Sequence, residues 1–146
     1  MTIRRAVLAD AAEIARLSGE LGYPLTADAM RARLAALLSS EQHHIAVAAS
    51  DGRLLGCMHV EHRVSLEGGD RAELMALVVD STVRRRGLGR ELVAAAEQWA
   101  LARGLDSLTI RSNVARELSH PFYESLGYER AKTQHVYRKP LRAAGG

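Results

Sequence analysis

One segment constrains this chain more than any other. An apolar run, Leu74-Met75-Ala76-Leu77-Val78-Val79, leads into Arg84-Arg85-Arg86-Gly87-Leu88-Gly89, and a helical pattern follows over residues 88–103. A strand, a basic glycine turn and a helix in that order build an anion cradle. Glycine lets the backbone approach a ligand closely. The N–H groups at the helix start point at that ligand, helped by the positive end of the helix dipole. Spacing then sorts the ligands. A nucleoside triphosphate loop needs G-x-x-x-x-G-K-[ST], and no Lys-Ser or Lys-Thr follows these glycines. A dinucleotide fingerprint needs a third glycine where Leu92 stands. What is left is R-x-x-G-x-G, at Arg84, Gly87 and Gly89.

The rest of the chain supplies a setting for that turn. A length of 146 residues with 47% hydrophobic content predicts one domain with its own core. We expect that domain over residues 1–141, with a loose tail over 142–146. No apolar run reaches membrane-spanning length. The start, Met1-Thr2-Ile3-Arg4-Arg5, lacks the apolar stretch of a signal peptide. The single cysteine, Cys57, cannot form an internal disulfide, so a reducing cytoplasm is expected. The net charge of +3 suits an anionic cofactor. It is local and lacks the aromatic-basic interleaving of a nucleic-acid binder. Neither nucleic acid nor membrane is expected as a partner.

Local signals order the elements. Residues 3–6 suit a short strand. Asp10, with Glu13 three residues on, has the spacing of a capping box. Ile14, Leu17 and Leu21 then form a helix face. Thr26 can cap a second helix, with Met30, Leu34, Leu37 and Leu38 inward. Residues 45–49 and 54–64 read as strands around the hairpin turn Asp51-Gly52. Residues 71–79 form the next strand after Glu67-Gly68-Gly69-Asp70, completing an antiparallel meander. The helix after the basic turn ends at Gly104. A strand over 108–112 then runs parallel to the previous one. Ser119-His120-Pro121 suits a helix start, and Gly127 its end. Residues 129–131 and 134–139 read as closing strands. The order is β-α-α-β-β-β-α-β-α-β-β, an α/β (α+β) mixed sheet with helices on both faces.

The R-x-x-G-x-G turn resembles the acyl-CoA signature of the GNAT (GCN5-related N-acetyltransferase) family. Phe122-Tyr123-Glu124-Ser125-Leu126-Gly127-Tyr128 looks like that family's F-Y-x-x-x-G-[FY] segment, and the element order is similar over nearly the whole chain. The resemblance is to small, stand-alone bacterial acetyltransferases. It implies a GNAT fold with a splayed central sheet, and acetyl-CoA as co-substrate. The pyrophosphate would lie over the amides of Arg86, Gly87, Leu88, Gly89 and Arg90, with Arg84 and Arg85 adding charge at the entrance. The pantetheine arm would run along Leu77, Val78 and Val79. The Leu77 amide would stabilise the thioester oxyanion. Asn113 would hydrogen-bond the pantetheine. Many relatives pair as homodimers, and the resemblance extends to that arrangement.

Acetyl transfer to an amine needs a neutral nucleophile and a protonated leaving thiol. Glu73, eleven residues before Arg84, resembles the glutamate that takes the amine proton in the histone-acetyltransferase branch, directly or through water. Tyr123 is the expected acid toward the departing sulfur, the role of the family tyrosine. Each also has a plain structural reading, a solvated strand-end carboxylate and a packed helix tyrosine. The acceptor is expected to be a small-molecule or peptide amine, moved against acetyl-CoA in a ternary complex. Tyr23, between the first two helices, and His59 and Glu61, on one strand face, are the candidate acceptor contacts. No metal is expected, because His59 and His62 project to opposite strand faces. Cys57 reads as a buried packing residue. A second reading, a CoA-binding sensor without catalysis, rests on Met75 and Ala76, where many family members hold acids.

Overall fold

The computed structural model describes residues 1–83, 87–111 and 119–142. The chain divides into two compact units, Met1–Arg111 and Ser112–Gly146.

The first unit is a five-stranded sheet in the order of the sequence. Strand β1 (Thr2–Arg5) pairs antiparallel with β2 (His43–Ser50), β2 with β3 (Arg53–Ser65), and β3 with β4 (Gly69–Val79). Asp51 and Gly52 both take positive φ, 49° and 78°, as the tight β2–β3 hairpin requires. The meander is as the alternation predicted. Strand β5 (Leu108–Ile110) runs parallel to β4, joined to it through helix α3 (Leu88–Ala102).

Two helices, α1 (Ala11–Glu20) and α2 (Ala27–Leu38), fill the β1–β2 connection. Thr26 caps α2 by accepting from the Ala29 N–H at 3.1 Å. The α1 start differs from the expected capping box. A 3-10 turn, Leu8–Asp10, precedes α1, and Asp10 accepts from the Val7 N–H and from Arg4. Glu13 reaches instead to the Leu54 N–H and to Arg16. The α1 cap gave way to charge-assisted bonds with nearby Arg4 and Arg16 and to the distant Leu54 N–H.

The sheet has two unlike faces. Ile45, Val47, Cys57 and Val78 pack with Ile14 and Leu17 of α1 and Leu34 of α2. Leu17 is fully buried, and such a side chain contributes about 1.5–3 kcal/mol. The opposite face carries α3. There Gly56 lets the helix approach, since a Cβ at that position would lie 2.8 Å from Leu92 Cδ1. On this side His44 stacks on Trp99 and Arg103 donates to His62. His59, by contrast, bonds His43, so His59 and His62 do lie on opposite faces, as alternation predicted.

The second unit contains helix α4 (Ser119–Ser125), closed by Gly127 at φ 93°. The two closing strands expected at 129–131 and 134–139 are absent among the described residues. A strand exists only where a neighbour takes its N–H and C=O groups. Alternation in the sequence does not supply that neighbour.

Candidate active site

The site grows from β4. Its register with β3 jumps between His59↔Ala76 and Val60↔Leu74, leaving Met75 as the extra residue of a bulge. The β5 ladder covers only Ala72, Glu73 and Leu74. Among the described residues, β4 continues past the bulge beyond the end of the β5 ladder, at the place where the splay was expected. The amide directions follow from one hydrogen bond. Asp80 donates its N–H to Leu55 O of β3 at 2.8 Å. Alternation then turns the Val78 amide toward β3 and the Leu77 amide toward the β5 side of the strand. Leu77 can therefore present an N–H to a thioester oxygen.

Past β4 the chain turns through Ser81–Val83 toward α3. Asp80 fixes this turn. It is fully buried, and its Oδ1 accepts from the Thr82 N–H at 2.9 Å and the Thr82 hydroxyl at 2.7 Å. Its Oδ2 accepts from Arg16 and Arg53, each at 2.8 Å. These bonds, the Thr82 amide foremost, hold the Asp80 carboxyl well below its ordinary range. Arg16 also donates to Leu54 O and pairs with Glu13 and Glu20, while Glu20 accepts from the Ser81 N–H. Helix α1 thus holds the approach to the cradle.

Gly87 then starts α3 as N-cap with φ 78°, a left-handed conformation that favours glycine. It brings no capping side chain, and the space where its Cβ would stand is open to 4 Å. The first-turn amides of Leu88, Gly89 and Arg90 follow it. A strand edge past the β5 ladder and a helix start entered through glycine fit an acyl-CoA, with one holding the amide-bearing arm and the other the phosphates. Arg84, Arg85, Arg86 and Asn113 lie outside the described residues.

A polar cluster occupies the α1/α2 face beside this stretch of β4. Cross-strand pairing sets His59 beside Ala76, Glu61 beside Glu73, and Arg63 beside Arg71. Cross-strand partners share a face, so His59, Glu61 and Glu73 lie on one side, as expected. His43 Nδ1 and His59 Nε2 are 2.9 Å apart, and His43 Nε2 lies 4.0 Å from Glu61. Burial, with His43 adding a smaller effect, pushes the His59 pKa down to about 4, so its ring is neutral at pH 7.

Glu73 is 1% exposed and is not the solvated strand-end carboxylate of its plain reading. Arg111 donates to its Oε1 at 2.8 Å and Arg63 to its Oε2 at 3.2 Å, with Arg71 at 4.0 Å. Burial pushes the Cys57 thiol up to about 12, so it packs as a neutral side chain. Tyr23 is exposed after α1. Tyr123 belongs to α4 in the second unit, where its ring meets Phe122 edge-on at 5.2 Å.

Sequence reading missed Asp80, Arg16, His43, Arg63 and Arg111. Asp-Ser-Thr after an apolar run was a usable turn signal for Asp80. Nothing local announces Arg16, which meets it from 64 positions away.

Residues 9–128 match the profile of a family described as "Acetyltransferase (GNAT) family". The chain is 28% identical over 144 residues to an aminoglycoside N(6')-acetyltransferase type 1 of Stenotrophomonas maltophilia, covering 96% of this chain and 94% of that one. It is 33% identical over 116 residues to glucosamine 6-phosphate N-acetyltransferase 1 of Oryza sativa subsp. japonica, covering 76% and 68%. Its fold is similar to that of the aminoglycoside acetyltransferase AAC(6')-Iy in complex with the bisubstrate analogue CoA-S-monomethyl-acetylneamine. That likeness has a TM-score of 0.85 at 22% identity, covering 96% and 98%. The chain belongs to the GNAT acetyltransferase family. It is an acetyl-CoA-dependent N-acetyltransferase. Nothing in these three relatives supports the sensor reading.

Proposed function

We propose that the acceptor is the primary amine of a small molecule or peptide, placed on the α1/α2 face beside Leu77. The two curated relatives carry names of amine acceptors, an aminoglycoside and an amino sugar phosphate. The observation that carries the reading is the juxtaposition in one strand of an amide on the β5 side at Leu77 and a polar face at Glu73. The family resemblance assigns residues 86–90 to the pyrophosphate, Arg84 and Arg85 to the charge around it, and Leu77, Val78, Val79 and Asn113 to the pantetheine.

Glu73 and Tyr123 are the catalytic pair of this reading. Glu73 gives the acceptor ammonium a fixed negative partner beside Glu61, and Tyr23 closes the acceptor side. The ammonium gives one proton to Glu73, directly or through water, and after attack the bonded nitrogen gives its second proton to neutral His59; both protons then pass to water. The amine nitrogen bonds the thioester carbon, the C–S bond breaks, and the Leu77 N–H holds the oxyanion between those events. Tyr123 donates its hydroxyl proton to the leaving sulfur and is reprotonated from water. The products are the acetamide and the CoA thiol. Residues 1–141 act as one domain in this account, in the bacterial cytoplasm, where Cys57 stays reduced.

The test is thiol release from acetyl-CoA with a panel of amines, alongside calorimetric titration of acetyl-CoA. Gly89→Asp sets a carboxylate against the pyrophosphate and should weaken acetyl-CoA binding at least ~100-fold, about 2.7 kcal/mol. Circular dichroism confirms that the variant is folded. Wild-type affinity in a folded Gly89→Asp protein rules out this cradle.

A further inference from the structure

The α1/α2 face is graded along β3 and β4. Nearest Leu77 stand His59 and Ala76, then Glu61 and Glu73, then Arg63 and Arg71. Each step of two residues advances about 7 Å. The backbone positions of the imidazole, the carboxylates and the guanidiniums therefore span roughly 14 Å, and the Arg63 and Arg71 guanidiniums reach back toward Glu73, to 3.2 and 4.0 Å. Arg111 joins the guanidiniums from the end of β5.

This supply of positive charge exceeds what the fold requires. Glu73 is one buried carboxylate, and Arg111 and Arg63 already occupy both of its oxygens. Arg71 stands off at 4.0 Å, and its buried Nε has no hydrogen-bond partner among the described residues. A guanidinium carries five N–H donors. Arg63 gives one of them to Glu73, and its side chain is 44% exposed. An open guanidinium at Arg63 beside a more buried one at Arg71 with an unused Nε donor suits an oxyanion, which guanidinium forks bind with two parallel bonds.

We propose that the acceptor is a small amine with an oxyanion at its far end. The ammonium lies at Glu61, and the phosphate, phosphonate or carboxylate group lies at Arg63 and Arg71. The gradient selects zwitterionic amines and disfavours polycations, whose second ammonium would meet the arginines. This inference rests on the N-acetyl transfer reading and adds the substrate class to it.

Four probes separate the possibilities: 3-aminopropylphosphonate, 4-aminobutanoate, butylamine and the polycation kanamycin. Thiol release should show kcat/KM at least ~10-fold higher for 3-aminopropylphosphonate than for butylamine, about 1.4 kcal/mol. Kanamycin should fall at or below butylamine. The 4-aminobutanoate arm decides between a phosphonate-type and a carboxylate anion. Arg63→Gln and Arg71→Gln should each reduce the preference over butylamine several-fold, through KM more than kcat. Equal or better rates with butylamine or kanamycin overturn the proposal, as does an unchanged preference in both variants. If no probe is acetylated although acetyl-CoA binds, the proposed placement of a small primary amine beside Leu77 fails. Calorimetry with 3-aminopropylphosphonate on the acetyl-CoA-loaded protein then decides the anion site alone. Binding that weakens in Arg71→Gln supports it, and no binding, or binding indifferent to that change, overturns it.

Discussion

Strand β4 carries the buried carboxylate Glu73 and runs directly into a second, Asp80. Each accepts from two guanidiniums, but only Asp80 adds backbone and hydroxyl donors from its own turn. Asp80 takes a backbone N–H, a hydroxyl and two guanidiniums, partly from its own turn and partly from α1 and β3. Glu73 takes guanidiniums whose side chains are half exposed, Arg63 at 44% and Arg111 at 50%. Local backbone bonds fix a loop shape, so Asp80 reads as the residue that shapes the cradle. Asp80 also draws on an exposed arginine, Arg53 at 53%, so what separates the two is that Glu73 is held by side chains alone, which a ligand can displace, and Glu73 reads as part of the acceptor face. Buried charge alone does not reveal a role, but the kind of partner does.

The comparison is attacked most severely at Asp80. Asp80→Ala leaves Thr82, Arg16 and Arg53 without their shared acceptor and should cost about 2–3 kcal/mol, read from urea unfolding. The same variant should weaken acetyl-CoA binding, because the turn into α3 loses its anchor. Stability indistinguishable from wild type would remove Asp80 from that role. Its pH dependence has a definite sign. The folded-state pKa is depressed from 3.8, so this contribution is complete above about pH 4 and is lost as pH falls below it. Asp80→Ala should therefore flatten the acid limb of the stability curve.

Gly56→Ala gives a packing control on the face away from both carboxylates. The added methyl meets Leu92 at 2.8 Å and Val78 O at 3.2 Å, so about 1–3 kcal/mol of destabilisation is expected from thermal melts. Glu73→Gln should cost less stability than Asp80→Ala and more activity. Removing its charge should lower kcat/KM for the amine about 10–100-fold, or ~1.4–2.7 kcal/mol. A variant with wild-type turnover would make Glu73 a structural residue like Asp80. The smallest effect is expected at His59. Its pKa falls from 6.5 unfolded to about 4 folded. It therefore favours the folded state above pH 6.5 and loses that contribution as pH drops from 6.5 to 4. His59→Gln should reduce the loss of stability across that window, and an unchanged slope would refute the neutral imidazole.

Much of this was legible in the residues because it is local. Alternation, Asp51-Gly52, Thr26 and the glycine turn each act over a few positions, and the first five strands and three main helices follow from them. The face shared by His59, Glu61 and Glu73 also follows from strand periodicity and one correct pairing. What escaped is long-range. The bulge at Met75 depends on the β3–β4 register, which no short pattern fixes. Asp80 draws on Arg16 and Glu73 on Arg111, neither of them a sequence neighbour. The polarity of Asp10 suggested a cap, yet Arg4 claimed it. The closing strands required partners that alternation in residues 129–139 could not promise.

The most direct test is a two-substrate kinetic comparison of Asp80→Asn and Glu73→Gln, varying acetyl-CoA and a fixed amine such as 3-aminopropylphosphonate. Asp80→Asn should raise KM for acetyl-CoA and leave KM for the amine near its wild-type value. Glu73→Gln should lower kcat/KM for the amine and leave KM for acetyl-CoA within about twofold, under ~0.5 kcal/mol. The reverse pattern, or the same pattern in both variants, would contradict the division of labour along β4.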